Sequence, residues 1–107
     1  MLGISIRYQY EGDEAVWEQA VADFIDAIDA DEELGERFRY QVNVGKDGKT
    51  RIHWGSWDKP ETVQILQSRD YFKTFSSKIG ELAGDSLSPV QFRKHAATRN
   101  GRWGFAP

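Results

Sequence analysis

The stretch Phe38-Arg39-Tyr40-Gln41-Val42-Asn43-Val44, Gly45-Lys46-Asp47-Gly48, Thr50-Arg51-Ile52-His53-Trp54-Gly55-Ser56-Trp57 decides how this chain folds. Its first run alternates apolar and polar residues with period two, the pattern of a half-buried strand. The two glycines and Asp47 make a hairpin turn. The return run is a second strand. Its apolar residues predict Ile52, Trp54 and Ser56 on one face and Arg51, His53, Gly55 and Trp57 on the other.

Outward from the hairpin, the same alternation over Ile4-Ser5-Ile6-Arg7-Tyr8-Gln9-Tyr10 predicts another strand. Gly12 breaks it, and Asp13 is an N-cap for a helix whose buried stripe is Trp17, Val21, Phe24 and Ile28. That helix is expected to end near Leu34-Gly35, with the glycine as C-cap. Beyond the hairpin, Asp58 and Glu61 have capping-box spacing, and Pro60 suits a first helical turn. Val63 and Leu66 are the buried side of that helix. Ser68-Arg69-Asp70 interrupts it, and Tyr71, Phe72, Phe75, Ile79 and Leu82 carry the stripe on to Gly84. A last strand is expected from Pro89 to Ala96. The order β-α-β-β-α-β is the ferredoxin-like α+β unit, a four-stranded antiparallel sheet with its helices on one face. One domain, residues 1–97, accounts for the pattern. Residues 98–107 form a tail whose Trp103 and Phe105 are expected to pack on a neighbour.

Composition limits the function. The chain has 107 residues and no cysteine, which excludes a disulfide scaffold, a thiolate metal site and a cysteine nucleophile. No apolar run approaches a membrane span, and the first residues lack the regions of a signal peptide, so a cytoplasmic protein is expected. From Glu11 to Glu36 there are eleven acids and no lysine or arginine; from Arg37 to Pro107 there are thirteen bases and six acids. The acidic run is the solvated face of the first helix. With a net charge of −3, binding of nucleic acid by bulk charge is not expected. RNA-recognition domains share this strand order, but the run from Arg51 to Trp57 does not fit their pattern of glycine and spaced aromatics, so nucleic-acid binding is a distant third reading.

The stretch His53-Trp54-Gly55-Ser56-Trp57-Asp58-Lys59-Pro60-Glu61, followed by Ser68-Arg69-Asp70-Tyr71-Phe72-Lys73-Thr74-Phe75, resembles the antibiotic biosynthesis monooxygenase family. With the strand order, the resemblance covers about residues 4 to 97. It implies a dimeric α+β barrel in which two sheets pack face to face, hence a homodimer. It also implies a reaction without metal or organic cofactor, in which an electron-rich aromatic or quinol substrate is deprotonated and passes an electron to oxygen itself. Trp57 stands where the family's strand-end tryptophan lies. The glutamate often found two residues earlier is Gly55 here, and the histidine common in the short helix is absent, with Gln64, Ile65 and Leu66 filling that region. The asparagine and histidine of haem-degrading relatives are missing too, which disfavours haem chemistry.

Such a protein needs a dry pocket, a proton acceptor and a donor or cation to hold the anion. The candidates to shape the pocket are Tyr8, Tyr40, Trp54, Trp57, Phe72 and Phe92, aromatics that suit a flat ligand and equally suit a plain core. Arg39 and His53 are the candidates to hold or deprotonate it. Alternation places His53 and His95 together on the uncovered sheet face with Arg7, Arg39, Arg51 and Arg93, where a polar dimer interface is the simpler reading than a two-histidine metal site. No metal is expected. Two functions stand nearly level: a cofactor-independent monooxygenase for a small aromatic or quinol, and a non-catalytic small-ligand-binding or structural homodimer on the same fold.

Overall fold

The computed structural model describes residues 2–99; Trp103 and Phe105 of the expected tail lie outside them. The elements are β1 (Leu2–Gln9), α1 (Glu14–Ala30), β2 (Phe38–Val44), β3 (Thr50–Trp57), α2 (Pro60–Ser68), α3 (Asp70–Ala83), a short 3-10 turn (Gly84–Ser86) and β4 (Ser88–Arg93). The strands form one antiparallel sheet in the order β2-β3-β1-β4, the ferredoxin-like arrangement.

Local chemistry sets the boundaries. The Asp13 carboxylate accepts from the Ala15 amide at 2.9 Å and starts α1. The helix stops at Ala30, four residues short of the expected end. There the Asp31 carboxylate accepts from the amides of Glu33 and Leu34 at 3.0 and 3.1 Å, offering the backbone an alternative to another helical turn. In the hairpin, Asp47 does the same for Lys49 and Thr50 at 2.9 and 2.8 Å, and Gly48 takes φ 73°. Asp58 does not close a capping box. Lys59 is the residue that caps α2, without a side-chain bond, and Asp58 instead holds Arg37 at 3.1 Å and the Thr62 hydroxyl. α2 and α3 are separated at Arg69, whose extended backbone breaks the helix and whose side chain reaches Asp31 at 3.0 Å. β4 ends at Arg93, before the expected Ala96.

The register fixes which residues face the helices. Tyr8 pairs with Arg51, Ile6 and Val42 with His53, Tyr40 with Gly55, and Phe38 with Trp57. All of these face α1, α2 and α3, so the expected parity of β3 is reversed. Arg51, His53 and Trp57 are buried under the helices, and Ile52, Trp54 and Ser56 lie on the other face. Phe92 also lies there rather than on the helix side, paired with Gly3 and 6.0 Å from Trp54 between ring centres. A side chain at Gly3 would run into the Phe92 ring, so the glycine lets that ring lie flat on the strand.

The physical reason for the reversal is that Arg51 and His53 of β3 find partners inside. The Arg51 guanidinium stacks 4.3 Å from the Trp17 ring, bonds both Glu14 oxygens at 2.7 and 2.9 Å and reaches the Gly48 carbonyl at 3.0 Å. A charge so paired can be buried, with its aliphatic stem in the core. Phe24, stacked on Phe75 at 4.0 Å, joins α1 to α3 at the centre of the apolar layer.

Candidate functional site

A cavity of about 240 Å³ lies between the helices and the sheet. Its floor is Ile4, Ile6, Phe38, Tyr40 and Trp57 from the strands, and Leu66, Phe72, Phe75 and Ile79 roof it from α2 and α3. Gln67, Ser76 and Gln91 bring polar side chains to its wall, and no ionisable acid, lysine, arginine or histidine is among the described residues that line it. An ample groove between α1 and α3 on the outside of the molecule, edged by Asp23, Lys73, Lys78 and Glu81, is open to solvent. The inner cavity is the better candidate because its walls are apolar, aromatic and enclosed.

Beside these, two aromatic residues of the lining carry buried polar groups. The first is the indole N–H of Trp57. Trp57 is 4% exposed, lines the cavity, and its Nε1 is buried with no hydrogen-bond partner among the described residues. A buried donor left unpaired costs about 1–3 kcal/mol, a cost that a ligand acceptor would remove. The second is Tyr40, whose hydroxyl lies 2.7 Å from Nδ1 of His53. Nε2 of His53 lies 2.7 Å from the Tyr8 hydroxyl, which accepts from the Trp17 indole N–H at 2.7 Å. His53 is fully buried, and that burial lowers its pKa to about 4, so the ring is neutral at pH 7. Burial raises the pKa of Tyr8 and, more strongly, of Tyr40, so both phenols keep their protons.

Gly55 supports this arrangement. A Cβ at Gly55 would sit 3.1 Å from Cδ1 of Tyr40 and 3.4 Å from Cζ of Phe38. Those rings occupy the space that a glutamate there would need, which explains why the acid implied by the resemblance has no place in this site.

The structure thus divides the sequence-predicted residues. Tyr40, Trp57 and Phe72 meet in the cavity. Tyr8 and His53 stand behind Tyr40, joined to it by hydrogen bonds. Trp54 and Phe92 are together on the opposite face of the sheet, in a groove that also takes in Gln41, Arg93 and His95. Arg39 pairs with Ser56 and shares that face. His53 and His95 are therefore on opposite sides of the sheet. Sequence reasoning read Trp17 as one of the aromatics on the helix side and missed its bond to Tyr8; a Trp N–H one helical turn from the start of α1 needed an acceptor, and the register of β1 supplies it. Among the described residues, no three His, Asp or Glu side chains converge to hold a metal ion. No described helix is long and apolar enough to cross a membrane.

No family model matches the sequence, and no curated protein matches it either. Solved structures do. SnoaB, a cofactor-independent oxygenase from Streptomyces nogalater, superposes with a TM-score of 0.74 at 12% identity, over 92% of this chain and 97% of that one. Rv0793 from Mycobacterium tuberculosis gives 0.74 at 11% identity over 90% and 96%. A structure described as an antibiotic biosynthesis monooxygenase gives 0.70 at 11% identity over 90% and 100%. At such identities the likeness is one of architecture. The fold of this chain, over nine-tenths of its length, is the ferredoxin-like α+β fold of the antibiotic biosynthesis monooxygenases.

Proposed function

We propose that this protein is a cofactor-independent monooxygenase for a small aromatic or quinol-type substrate, working in the cytoplasm as a homodimer. The observation that carries the reading is the aromatic cavity lined by Tyr40, Phe72 and Trp57, the last with a buried indole N–H that has no partner among the described residues. Tyr40, Trp57 and Phe72 hold the ring, and the Trp57 N–H donates to its oxygen. At about 240 Å³ the cavity falls below the roughly 300–1,000 Å³ of pockets for drug-sized ligands, which favours a compact ligand. The balanced reaction for an anthrone-type carbon is that a CH₂ group and O₂ give C=O and H₂O. The ring anion supplies the electrons, and the protein supplies dryness and donors. Trp54, Phe92 and Arg39 belong in this reading to the face on which the second copy packs, and His53 acts through Tyr40 rather than on the ligand.

One observation favours the alternative, a non-catalytic binder of a small aromatic molecule: the described cavity wall carries no ionised base, and neutral His53 has both nitrogens engaged. Oxygen uptake separates the two. With anthrone and small quinols as probes, consumption above the buffer blank that falls in Trp57→Phe supports the monooxygenase. Uptake equal to the blank, alongside measurable binding of the same molecules, leaves the binder.

A further inference from the structure

The four groups Trp17, Tyr8, His53 and Tyr40 form one hydrogen-bonded chain, and only its last member lines the cavity. Counting protons along it fixes their direction. A neutral imidazole has one N–H, and each tyrosine has one O–H, so three hydrogens serve the two bonds that flank His53. The Tyr8 oxygen already accepts from Trp17. Tyr8 is 1% exposed, and among the described residues Nε2 of His53 is the only acceptor bonded to its hydroxyl. If Tyr8 did not donate there, its O–H would be buried unpaired at a cost of about 1–3 kcal/mol. Nε2 is therefore the acceptor, Nδ1 carries the hydrogen, and Nδ1–H donates to Tyr40. The hydrogen of Tyr40 is the one left over.

We propose that the Trp17–Tyr8–His53 chain locks His53 as the Nδ1–H tautomer and thereby commits the Tyr40 hydroxyl as a hydrogen-bond donor to a phenolate or enolate oxygen bound in the cavity. Tyr40 is the ligand-contacting group; Tyr8 and Trp17 are positioning residues that never touch the ligand. The other tautomer would turn the Tyr40 hydrogen toward Nδ1 and leave the cavity with one donor fewer. Because the described wall has no charged side chain, the selection between phenol and phenolate rests on neutral donors, Tyr40 and Trp57 beside Gln67, Ser76 and Gln91. The inference depends on the cavity being a ligand site, as proposed above, but not on oxygen chemistry.

The test uses p-nitrophenol, whose ionisation is read by absorbance, and nitrobenzene as its neutral analogue, with nitrogen-detected NMR of the histidine rings of the full chain. The expected results are an Nδ1–H tautomer for His53 and a phenolate-over-phenol affinity ratio about tenfold higher in the native protein than in Tyr40→Phe, the size of one charge-assisted hydrogen bond. Tyr40→Phe should keep nitrobenzene binding. Tyr8→Phe, which leaves the cavity wall intact, should give a mixture of tautomers and a weakened preference. An Nε2–H tautomer in the unaltered protein overturns the inference. If nitrobenzene binds and Tyr40→Phe leaves the phenolate-over-phenol ratio unchanged, the inference fails while the cavity reading stands. If neither probe binds, the cavity reading fails and takes this one with it.

Discussion

The Arg51 guanidinium in β3 lies flat against the Trp17 indole of α1, 4.3 Å from its centre, and the same cation grips Glu14 at the start of that helix. This one side chain clamps the hairpin to the first turn of α1. It also holds Trp17 in the orientation that lets its N–H reach Tyr8. Arg51→Lys keeps the charge but loses the planar stacking and the two-pronged bond. The expected outcome is a loss of about 1–2 kcal/mol from the stacking alone, with weakened protection of the Trp17 indole hydrogen. Urea unfolding and indole hydrogen exchange measure the two.

Burial of His53 makes stability depend on pH. Its pKa is 6.5 in an unfolded chain and about 4 in the fold. Between these values the unfolded state binds the extra proton, so stability falls as pH drops from about 6.5 toward 4 and is fully present above that window. The difference corresponds to about 3 kcal/mol. Below the window, carboxylates held low by their partners, Asp47 by the Thr50 and Lys49 amides among them, take over the decline. Urea midpoints at pH 7, 5.5 and 4.5 should fall steadily in the native protein and stay nearly level in His53→Gln. A native profile already flat over this range would contradict the burial.

Gly55 sets the space for Tyr40. Gly55→Ala forces the Tyr40 and Phe38 rings outward by a few tenths of an ångström, because the added carbon meets the Tyr40 ring at 3.1 Å. A destabilisation of about 1–3 kcal/mol is expected from overpacking. The Tyr40–His53 bond should lengthen, seen as a shifted Nδ1–H proton resonance. An unchanged resonance would mean that the ring adapts without moving its hydroxyl.

Trp57→Phe removes the buried N–H that has no partner. The unliganded protein should lose little stability, since relief of the unpaired donor offsets the lost area. Affinity for p-nitrophenolate should fall about tenfold while that for nitrobenzene changes by less than threefold. Equal losses for both probes would assign Trp57 to packing alone.

The face of the sheet away from the helices carries Trp54, Ile52 and Phe92, and Val90 is 55% exposed at its edge. For a homodimer of standard interface size, about 800 Å² per copy, that face is the surface to bury. Light scattering should then give twice the monomer mass at low and high salt, and Trp54→Glu should give the monomer mass. A native monomer at both salts would refute the packing.

The element order was legible because α1, α3 and the edges of β1 and β2 carry clean periods of 3.6 and 2. The break at Arg69 was legible from the polar triplet around it. What misled was polarity in β3, where Arg51 and His53 look like solvent-facing residues until their partners are known. Those partners, Glu14 and Trp17 for one and Tyr8 and Tyr40 for the other, come from other elements, and only the register brings them together. Inverting one strand moved Trp57 into the cavity and Trp54 out of it. The sides of the candidate residues were therefore half readable: Tyr8, Tyr40 and Phe72 lie on the helix side as expected, and Trp54 and Phe92 do not. Asp58 was misjudged, and the end of α1 misplaced, for a related reason, since a carboxylate such as Asp58 or Asp31 can bind nearby amides or distant arginines as readily as it caps a helix.

β1 comes first in the chain yet sits in the middle of the sheet, and this governs when the site exists during folding. Trp17 and Tyr8 are nine residues apart, and Tyr40 and His53 thirteen, so each pair belongs to a unit that forms from local contacts. The link between them, Tyr8 to His53, spans 45 residues. Closing that loop is the slow, entropically costly event. On a ribosome, the first strand waits for the whole hairpin to emerge before it has a neighbour. A half-folded chain holds two unconnected pairs and no aligned donor, so the recognition proposed above would double as a report that the central strand has docked.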